Sequence, residues 1–351
     1  MKMENRAVFM NGKLNFEYDI LDIPKPAYGE LLIQTEYTGI CGSDVHFYET
    51  GMIGPRPILG RQILGHECAG IVAGIGEGVK AFSIGDRVAL EPGKACGACE
   101  FCKQGRYNLC PDVQFLSSNP YQGTMRDYLT HPAHLCFKLP ANVSTLEGAL
   151  VEPLAVGLHA ARQGNVQLGD TVVILGAGCI GLTTLLSCRA MGASRIIVTD
   201  LFEKRLHVAK QLGADYVVNG SETDSTQAVL ALTDGAGANI VFETAGSRVT
   251  AAQTAYVAKR GGTIVMVGNV MGETPFEFHR ISVQEITIKT VFRYQNIYPL
   301  ALQAISSGQI DVRAIVSDIF PFEEVPLAFD KAANDKIDVV KAVISMKEEL
   351  K

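Results

Sequence analysis

Thr171-Val172-Val173-Ile174-Leu175-Gly176-Ala177-Gly178-Cys179-Ile180-Gly181 carries a β-branched run straight into a G-x-G-x-x-G and on into an apolar helical stretch. The first glycine permits a tight turn, the second lets the backbone approach a pyrophosphate, and the third lets helix and strand pack closely. The helix N-terminus attracts the negative charge. Asp200 closes the next strand, 19 residues beyond Gly181, where a carboxylate accepts hydrogen bonds from the adenosine ribose hydroxyls and repels a 2′-phosphate. That combination predicts NAD rather than NADP. Arg205 could accept such a phosphate, but with Asp200 decisive it is read as flanking the adenine.

Outward from this turn, short β-branched runs alternate with helical stretches: Thr171–Leu175, Arg195–Asp200, Ala214–Asn219, Asn239–Thr244, Thr263–Gly268 and Ile286–Phe292. Six such strands predict an α/β domain with a doubly wound parallel sheet over residues 154–292. The first 150 residues read differently, as short runs (Leu31–Gln34, Gly70–Ile75, Arg87–Leu90, Arg126–Thr130) broken by Gly, Pro and Asn with almost no helical periodicity. A mostly β domain is expected there. Beyond the sixth strand, Pro299–Gly308 reads as a helix and Phe320 to Ser345 as strand, helix and strand. These should return to the first domain, so that 1–153 and 293–351 form one domain and 154–292 an insertion.

Composition agrees with two cores: 351 residues at roughly 150 per domain, with 47% apolar and 19% charged residues. Thirty-one basic against thirty-seven acidic residues give a net charge of -6 without a basic run, which argues against nucleic acid as a partner. The longest uncharged stretch lies between Asp170 and Arg189. Its glycines divide it into a strand and a helix, so no membrane span is expected. Met1 to Arg6 leads into a polar alternating stretch and not an apolar leader, which predicts a cytoplasmic protein. Of nine cysteines, four fall within fifteen positions, a pattern that suits metal better than disulfides.

Those four are Cys96-x2-Cys99-x2-Cys102-x7-Cys110. Four thiolates close a tetrahedral zinc shell and leave no position for substrate, so this zinc should be structural. An iron–sulfur cluster and free thiols are the alternatives. A second, dispersed set comprises Cys41, His66, Glu67 and Glu152, which spacing alone does not join. One thiolate, one imidazole and one or two carboxylates would leave a zinc ion able to exchange water for an alcohol oxygen.

These motifs resemble the zinc-dependent medium-chain dehydrogenase/reductase superfamily from about residue 7 to the C-terminus. Gly39-Ile40-Cys41-Gly42-Ser43-Asp44-Val45-His46, Arg106-Tyr107-Asn108-Leu109-Cys110-Pro111-Asp112 and Phe292-Arg293-Tyr294 are similar to its sorbitol (polyol) dehydrogenase branch. Glu152 agrees, standing where alcohol dehydrogenases commonly place a second thiolate. The resemblance implies a GroES-like catalytic domain beside a Rossmann domain, and two zinc ions per chain. It implies catalytic zinc at Cys41, His66 and Glu67, with Glu152 as a ligand or holding the zinc's water. It also implies NAD contacts at Gly176, Gly178, Ile180, Gly181, Asp200, Arg205, Val267, Gly268, Asn269, Val291, Phe292 and Arg293, polyol contacts from Arg293 and Tyr294, and a homotetramer. Phe47, assigned with the substrate-binding residues, stands where animal sorbitol dehydrogenases have a tyrosine that touches the active site, so one hydroxyl contact is missing here. Ser43 and His46 are candidates for relaying the alcohol proton. The expected activity is oxidation of a sugar alcohol at C2, with hydride passing to NAD and a ketose formed. The competing readings are a dehydrogenase for a sugar-alcohol phosphate, threonine or 2,3-butanediol, and a non-catalytic NAD-binding regulator.

Overall fold

The chain divides into two compact units, Met1–Glu152 with Tyr298–Lys351, and Pro153–Ile297. The computed structural model describes residues 4–53, 56–57 and 60–347. The division places Pro153 and residues 293–297 in the second unit, where the sequence assigned them to the first. A local cause is visible. Arg293 and Asn296 adopt left-handed backbone conformations, φ 56° and 53°, and regular structure resumes only at Tyr298, whose hydroxyl donates to the Leu90 carbonyl at 2.8 Å within the first unit.

In the first unit the leading elements are β1 (Asn5–Asn11), β2 (Phe16–Leu21), β3 (Glu30–Gly39), α1 (Gly42–Thr50), β4 (Glu67–Ile75) and β5 (Arg87–Leu90). They are followed by β6 (Tyr128–Pro132), β7 (Cys136–Lys138) and α2 (Thr145–Ala149). α3 (Val151–Gly164) starts in this unit and runs into the next. A seven-stranded sheet runs β7-β5-β4-β3 and continues into two strands from the C-terminal part of the chain, with β6 also on β3. Alternate side chains of these strands, among them Leu31, Ile33, Val72, Val88, Leu90 and Leu129, fill one core, as period-two strands require. A second core joins Val8, Met10, Ile63 and Leu64 to Phe329 and Ile344.

The expectation of almost no helix in this region missed α1. Its buried residues are Asp44, Phe47 and Tyr48, so a carboxylate occupies a position where an apolar residue would have revealed the helical period. Gly51 ends the helix in the left-handed region at φ 69°, its N–H donating to the Phe47 carbonyl at 2.8 Å. α2 is entered through a reciprocal cap. The Ser144 N–H donates to Glu147 Oε2 at 2.8 Å, and the Glu147 N–H to Ser144 Oγ at 3.2 Å.

The second unit contains β8 (Thr171–Leu175), α4 (Cys179–Ala190), β9 (Arg195–Asp200), α5 (Glu203–Gln211), β10 (Tyr216–Asn219), β11 (Ala238–Glu243), α6 (Arg248–Val257), β12 (Ala258–Met266) and β13 (Thr287–Thr290). All six strands pair in parallel, in the order β10-β9-β8-β11-β12-β13. Strand order reverses between β8 and β11, and the strands' C-terminal ends at that point form the usual ligand crevice of such sheets. The strands fall where the sequence placed them except β12, which starts at Ala258. Gly261 and Gly262 interrupt the apolar pattern there, and the ladder with β11 shifts register between Ala238 and Ile240. After Tyr298 the first unit resumes with α7 (Tyr298–Ser306), β14 (Asp318–Pro321), α8 (Val325–Asn334) and β15 (Ala342–Ser345). β15 lies antiparallel on β3 and parallel to β14.

The fingerprint glycines separate by what surrounds them. A Cβ on Gly181 would stand 1.9 Å from the Gly176 carbonyl oxygen, whereas one on Gly178 would meet only an Arg205 nitrogen, at 3.8 Å. Gly181→Ala should therefore cost about 2 kcal/mol or more, an overpacking penalty. Gly178→Ala, at the N-cap of α4 with φ -73°, should cost less than about 1 kcal/mol and act on dinucleotide affinity instead. Urea unfolding followed by circular dichroism, paired with NADH titration of both variants, checks the contrast.

Candidate functional site

β3 ends at Gly39, the chain turns into α1 at Cys41, and a second turn before β4 carries His66. The ligand atoms of Cys41, His66 and Glu67 lie within 4.8 Å of one another, with His66 and Glu67 buried. Gly65 makes that approach possible at φ +91°, where a Cβ would strike Thr38 and Thr124 at 2.6 and 2.8 Å. Glu152, also buried, stands in the first turn of α3. It is not part of the group that meets within this radius.

Two charged groups brace the set, and the sequence reading assigned neither of them. Asp44, fully buried, has Oδ1 3.6 Å from His66 Nδ1. It accepts from Ser117 Oγ at 2.9 Å, from the Cys41 N–H at 3.1 Å and from the Gly65 N–H at 3.3 Å. Burial alone would raise its carboxyl, but the His66 charge and these hydrogen bonds hold it below the usual carboxylate range. Burial likewise works to lower His66, and the Asp44 and Cys41 charges overcome it, so the imidazole is raised well above its ordinary value. With Asp44 facing Nδ1, a metal bound through Nε2 would find the ring already oriented. The second group is Lys341. Its buried ammonium donates to both Glu67 oxygens at 2.8 Å and to the Ile40 carbonyl at 2.9 Å.

Ser43 is exposed and His46 half-buried on α1, three residues apart and hence on one face. Phe47 is buried in the core that includes Ile40 and Phe329. Arg293 and Tyr294 belong to the second unit, with the Arg293 guanidinium 4.7 Å from the Phe292 ring centroid and Tyr294 buried.

The ligand atoms of Cys96, Cys99, Cys102 and Cys110 also lie within 4.8 Å of one another. All nine cysteines are free thiols. Cys99 and Cys102 sulfurs are 3.4 Å apart and Cys96 and Cys102 sulfurs 3.9 Å. A regular tetrahedron of thiolates about 2.3 Å from zinc has edges of about 3.8 Å, so the four side chains fit one such ion. Backbone N–H groups of Ala98 and Cys99 lower the Cys96 thiol to about 7, while desolvation and the neighbouring thiols push Cys102 up to about 12. Only a central cation would favour four thiolates together. Gly93–Lys94 pairs with Gln114–Phe115 at the base of this lobe, and Tyr107 donates to Glu91 Oε1 at 2.7 Å.

In the second unit a cavity of about 440 Å³ is lined by Gly176, Gly178, Asp200, Phe202, Arg205 and Ser247 among others. Asp200 is fixed at its wall by three backbone donors: Ala177 to Oδ2 at 2.7 Å, and Leu201 and Phe202 to Oδ1 at 2.8 and 3.0 Å. Burial lowers the Arg205 guanidinium, and the Asp200 charge acts against it. Ile180 occupies the first turn of α4. Val267, Gly268 and Asn269 follow β12, and Val291 and Phe292 follow β13.

A parallel nucleotide-type sheet, interrupting a β unit that holds an open and a closed metal-ligand set, defines a zinc-type alcohol dehydrogenase fold. Comparison bears this out: the model described as alcohol dehydrogenase GroES-like domain matches residues 27–141, and that described as zinc-binding dehydrogenase matches 179–307. The chain is 49% identical to the zinc-type alcohol dehydrogenase-like protein YdjJ of Escherichia coli over 93% of this chain and 94% of that one. It is 38% identical to sorbitol dehydrogenase of Bacillus subtilis, over 97% and 96%. An Escherichia coli alcohol dehydrogenase structure complexed with NADH superposes with a TM-score of 0.91 at 26% identity, over 98% of this chain and 99% of that one. The chain belongs to the zinc-dependent medium-chain dehydrogenase/reductase superfamily, in its sorbitol dehydrogenase branch, and is an oxidoreductase.

The ion pair at Glu67 generates a prediction. In metal-free protein, Lys341→Met leaves a buried carboxylate unpaired and should cost about 3–5 kcal/mol. Adding Glu67→Gln to Lys341→Met should recover most of that loss, because the stranded charge is gone. Thermal unfolding of the single and double variants in the presence of a chelator measures the recovery, and equal losses in both would contradict the pairing.

Proposed function

We propose that the protein transfers hydride from C2 of an open-chain, unphosphorylated polyol of the sorbitol or xylitol type to NAD, giving the ketose. In this reading it holds two zinc ions per chain, one catalytic at the Cys41 set and one structural at the four cysteines. The observation that carries it is the ligand set itself. One thiol, one imidazole and one carboxylate meet, no fourth Cys, His, Asp or Glu atom joins them among the described residues, and Glu152 stands where a second thiolate would mark a simple alcohol dehydrogenase. A zinc ion bound there would supply a Lewis acid for the alcohol oxygen.

The chain's own residues do the rest. Asp44 orients His66, and Lys341 balances the charge of Glu67, so the set keeps little net charge of its own. Glu152 offers an acceptor to a hydroxyl. Ser43 and His46 lie on one helix face as a path by which the alcohol proton leaves. Arg293 and Tyr294 are assigned to the polyol, the first as a fixed donor fork and the second as a donor and acceptor. Asp200, already aligned by three N–H groups, supports NAD over NADP, and its charge beside Arg205 makes that arginine a poor receptor for a 2′-phosphate. We further propose a cytoplasmic homotetramer. No helix among the described residues is long and apolar enough to cross a membrane.

Two measurements test this reading. Catalytic efficiencies with sorbitol, xylitol, galactitol 1-phosphate, threonine and 2,3-butanediol, each with NAD and NADP, should favour a polyol with NAD by about tenfold or more. A clear lead for the phosphate ester would instead assign the Arg293 fork to phosphate. Metal analysis should find two zinc ions per chain. Cys99→Ser should lose one ion and several degrees of Tm. Cys41→Ser should lose the other ion and turnover with little change in Tm.

A further inference from the structure

Glu243 ends β11 beside the point where strand order reverses, and it is completely buried. Its Oε1 accepts from the Gly246 N–H at 2.9 Å and from the Thr250 hydroxyl at 2.7 Å. Its main-chain carbonyl accepts from the Val267 and Gly268 N–H groups at 2.9 and 2.8 Å. One residue therefore holds the loop after β11 with its side chain and the loop after β12 with its backbone. The two loops are in close contact across it. A Cβ on Gly268 would stand 2.3 Å from the Gly246 nitrogen and 2.5 Å from Glu243 Oε2. Ala245 and Ser247 of the first loop and Thr250 in the first turn of α6 line the dinucleotide cavity.

We propose that Glu243 is a positioning residue for the nicotinamide dinucleotide, locking residues 244–250 and 267–269 into the shape that receives it. The inference rests on the dinucleotide reading of this cavity. It is more than a statement about folding, because the group is a poor choice for stability. Glu243 Oε2 is buried without a hydrogen-bond partner, and a buried carboxyl with one oxygen unsatisfied destabilises its surroundings. Burial raises the carboxyl, against the hydrogen bonds from the Thr250 hydroxyl and the Gly246 N–H. An apolar residue would fill the space without that cost. It could not hold Gly246 in the left-handed turn, φ +67°, that leads into α6. The carboxyl thus fixes a glycine-hinged loop by acceptor geometry rather than by packing.

The test is NADH affinity of the zinc-loaded protein, read from NADH fluorescence, for the wild type and three variants. Glu243→Ala removes the acceptor and should weaken NADH tenfold or more. Glu243→Asp keeps the charge but withdraws the acceptor by one methylene, and should weaken it at least fivefold. Glu243→Gln loses the charge but keeps an acceptor at the same reach, and should stay within threefold. Zinc content and the KM for polyol should not change, which separates positioning from general loosening. Should Glu243→Ala fail to fold, the ordering of Gln above Asp decides. NADH bound within twofold of wild type by a folded Glu243→Ala or by Glu243→Asp would overturn the proposal, as would a Gln variant as weak as Asp. A wild type that binds neither NADH nor NADPH would overturn the dinucleotide reading itself.

Discussion

A buried ammonium must find acceptors, and the three found by Lys341 fix the geometry on which the first unit's chemistry depends. Lys341 is 274 residues from Glu67 in sequence and comes from the segment that returns after the whole second unit. It bonds the Ile40 carbonyl, next to Cys41, and the Glu67 carboxylate, next to His66. β15, which starts one residue later, lies on β3 through Val343 opposite Gly39. Gly39 has no side chain for a reason. A Cβ there would stand 2.0 Å from Glu67 Oε2, so the carboxylate occupies the space a larger residue would need. One ion pair thereby joins the end of β3, the start of β4 and the start of β15, and two of those junctions carry the candidate metal ligands.

The two ligand sets differ in how they are held, and the difference follows from where their residues lie in the chain. The four cysteines fall within one lobe, and short-range N–H to sulfur contacts such as Cys99 to Cys96 at 3.3 Å already turn the loop back on itself. Four like thiolates would need a central cation to offset their charge. The Cys41 set draws its groups from separate turns and is braced without a metal, through Asp44 on His66 and Lys341 on Glu67. Such a set can release or exchange an outer ligand without collapsing, which is the property a catalytic centre needs and a structural one does not.

What could be read from sequence was what is local. The fingerprint turn, Asp200 and the four-cysteine spacing each lie within about thirty residues, and the continuous β-branched runs of β8, β9 and β11 mark the sheet because those strands are buried on both faces. The dispersed set needed a family resemblance, since nothing in the spacing of Cys41, His66 and Glu152 brings them together. Asp44 escaped notice because a buried acid disguises the helix that carries it. Lys341 and Glu243 left a faint signal that was not used. Each is a lone charge within or at the end of an apolar run, Val339-Val340-Lys341-Ala342-Val343 and Ile240-Val241-Phe242-Glu243, and a charge placed there must have a partner or a purpose. The distance between partners hid the rest. A contact across 274 residues has no trace in any window of sequence.

The placement of acidic groups shows how the fold divides stability from function. Asp44, Glu67 and Glu243 are all nearly inaccessible, and each lies at or near the end of an element: Asp44 in the first turn of α1, Glu67 at the start of β4 and Glu243 at the end of β11. At such ends the unpaired N–H groups of the chain are available as donors. Asp44 takes two of them and Glu243 one, beside a Ser or Thr hydroxyl in each case. Glu67, at the start of a paired strand, takes an ammonium instead. A carboxylate buried in a strand's centre would have neither source of compensation. The candidate ligand turns and the loops lining the second unit's cavity are thus held by directional bonds to acids, while the sheets behind them are held by their backbone ladders and by apolar packing.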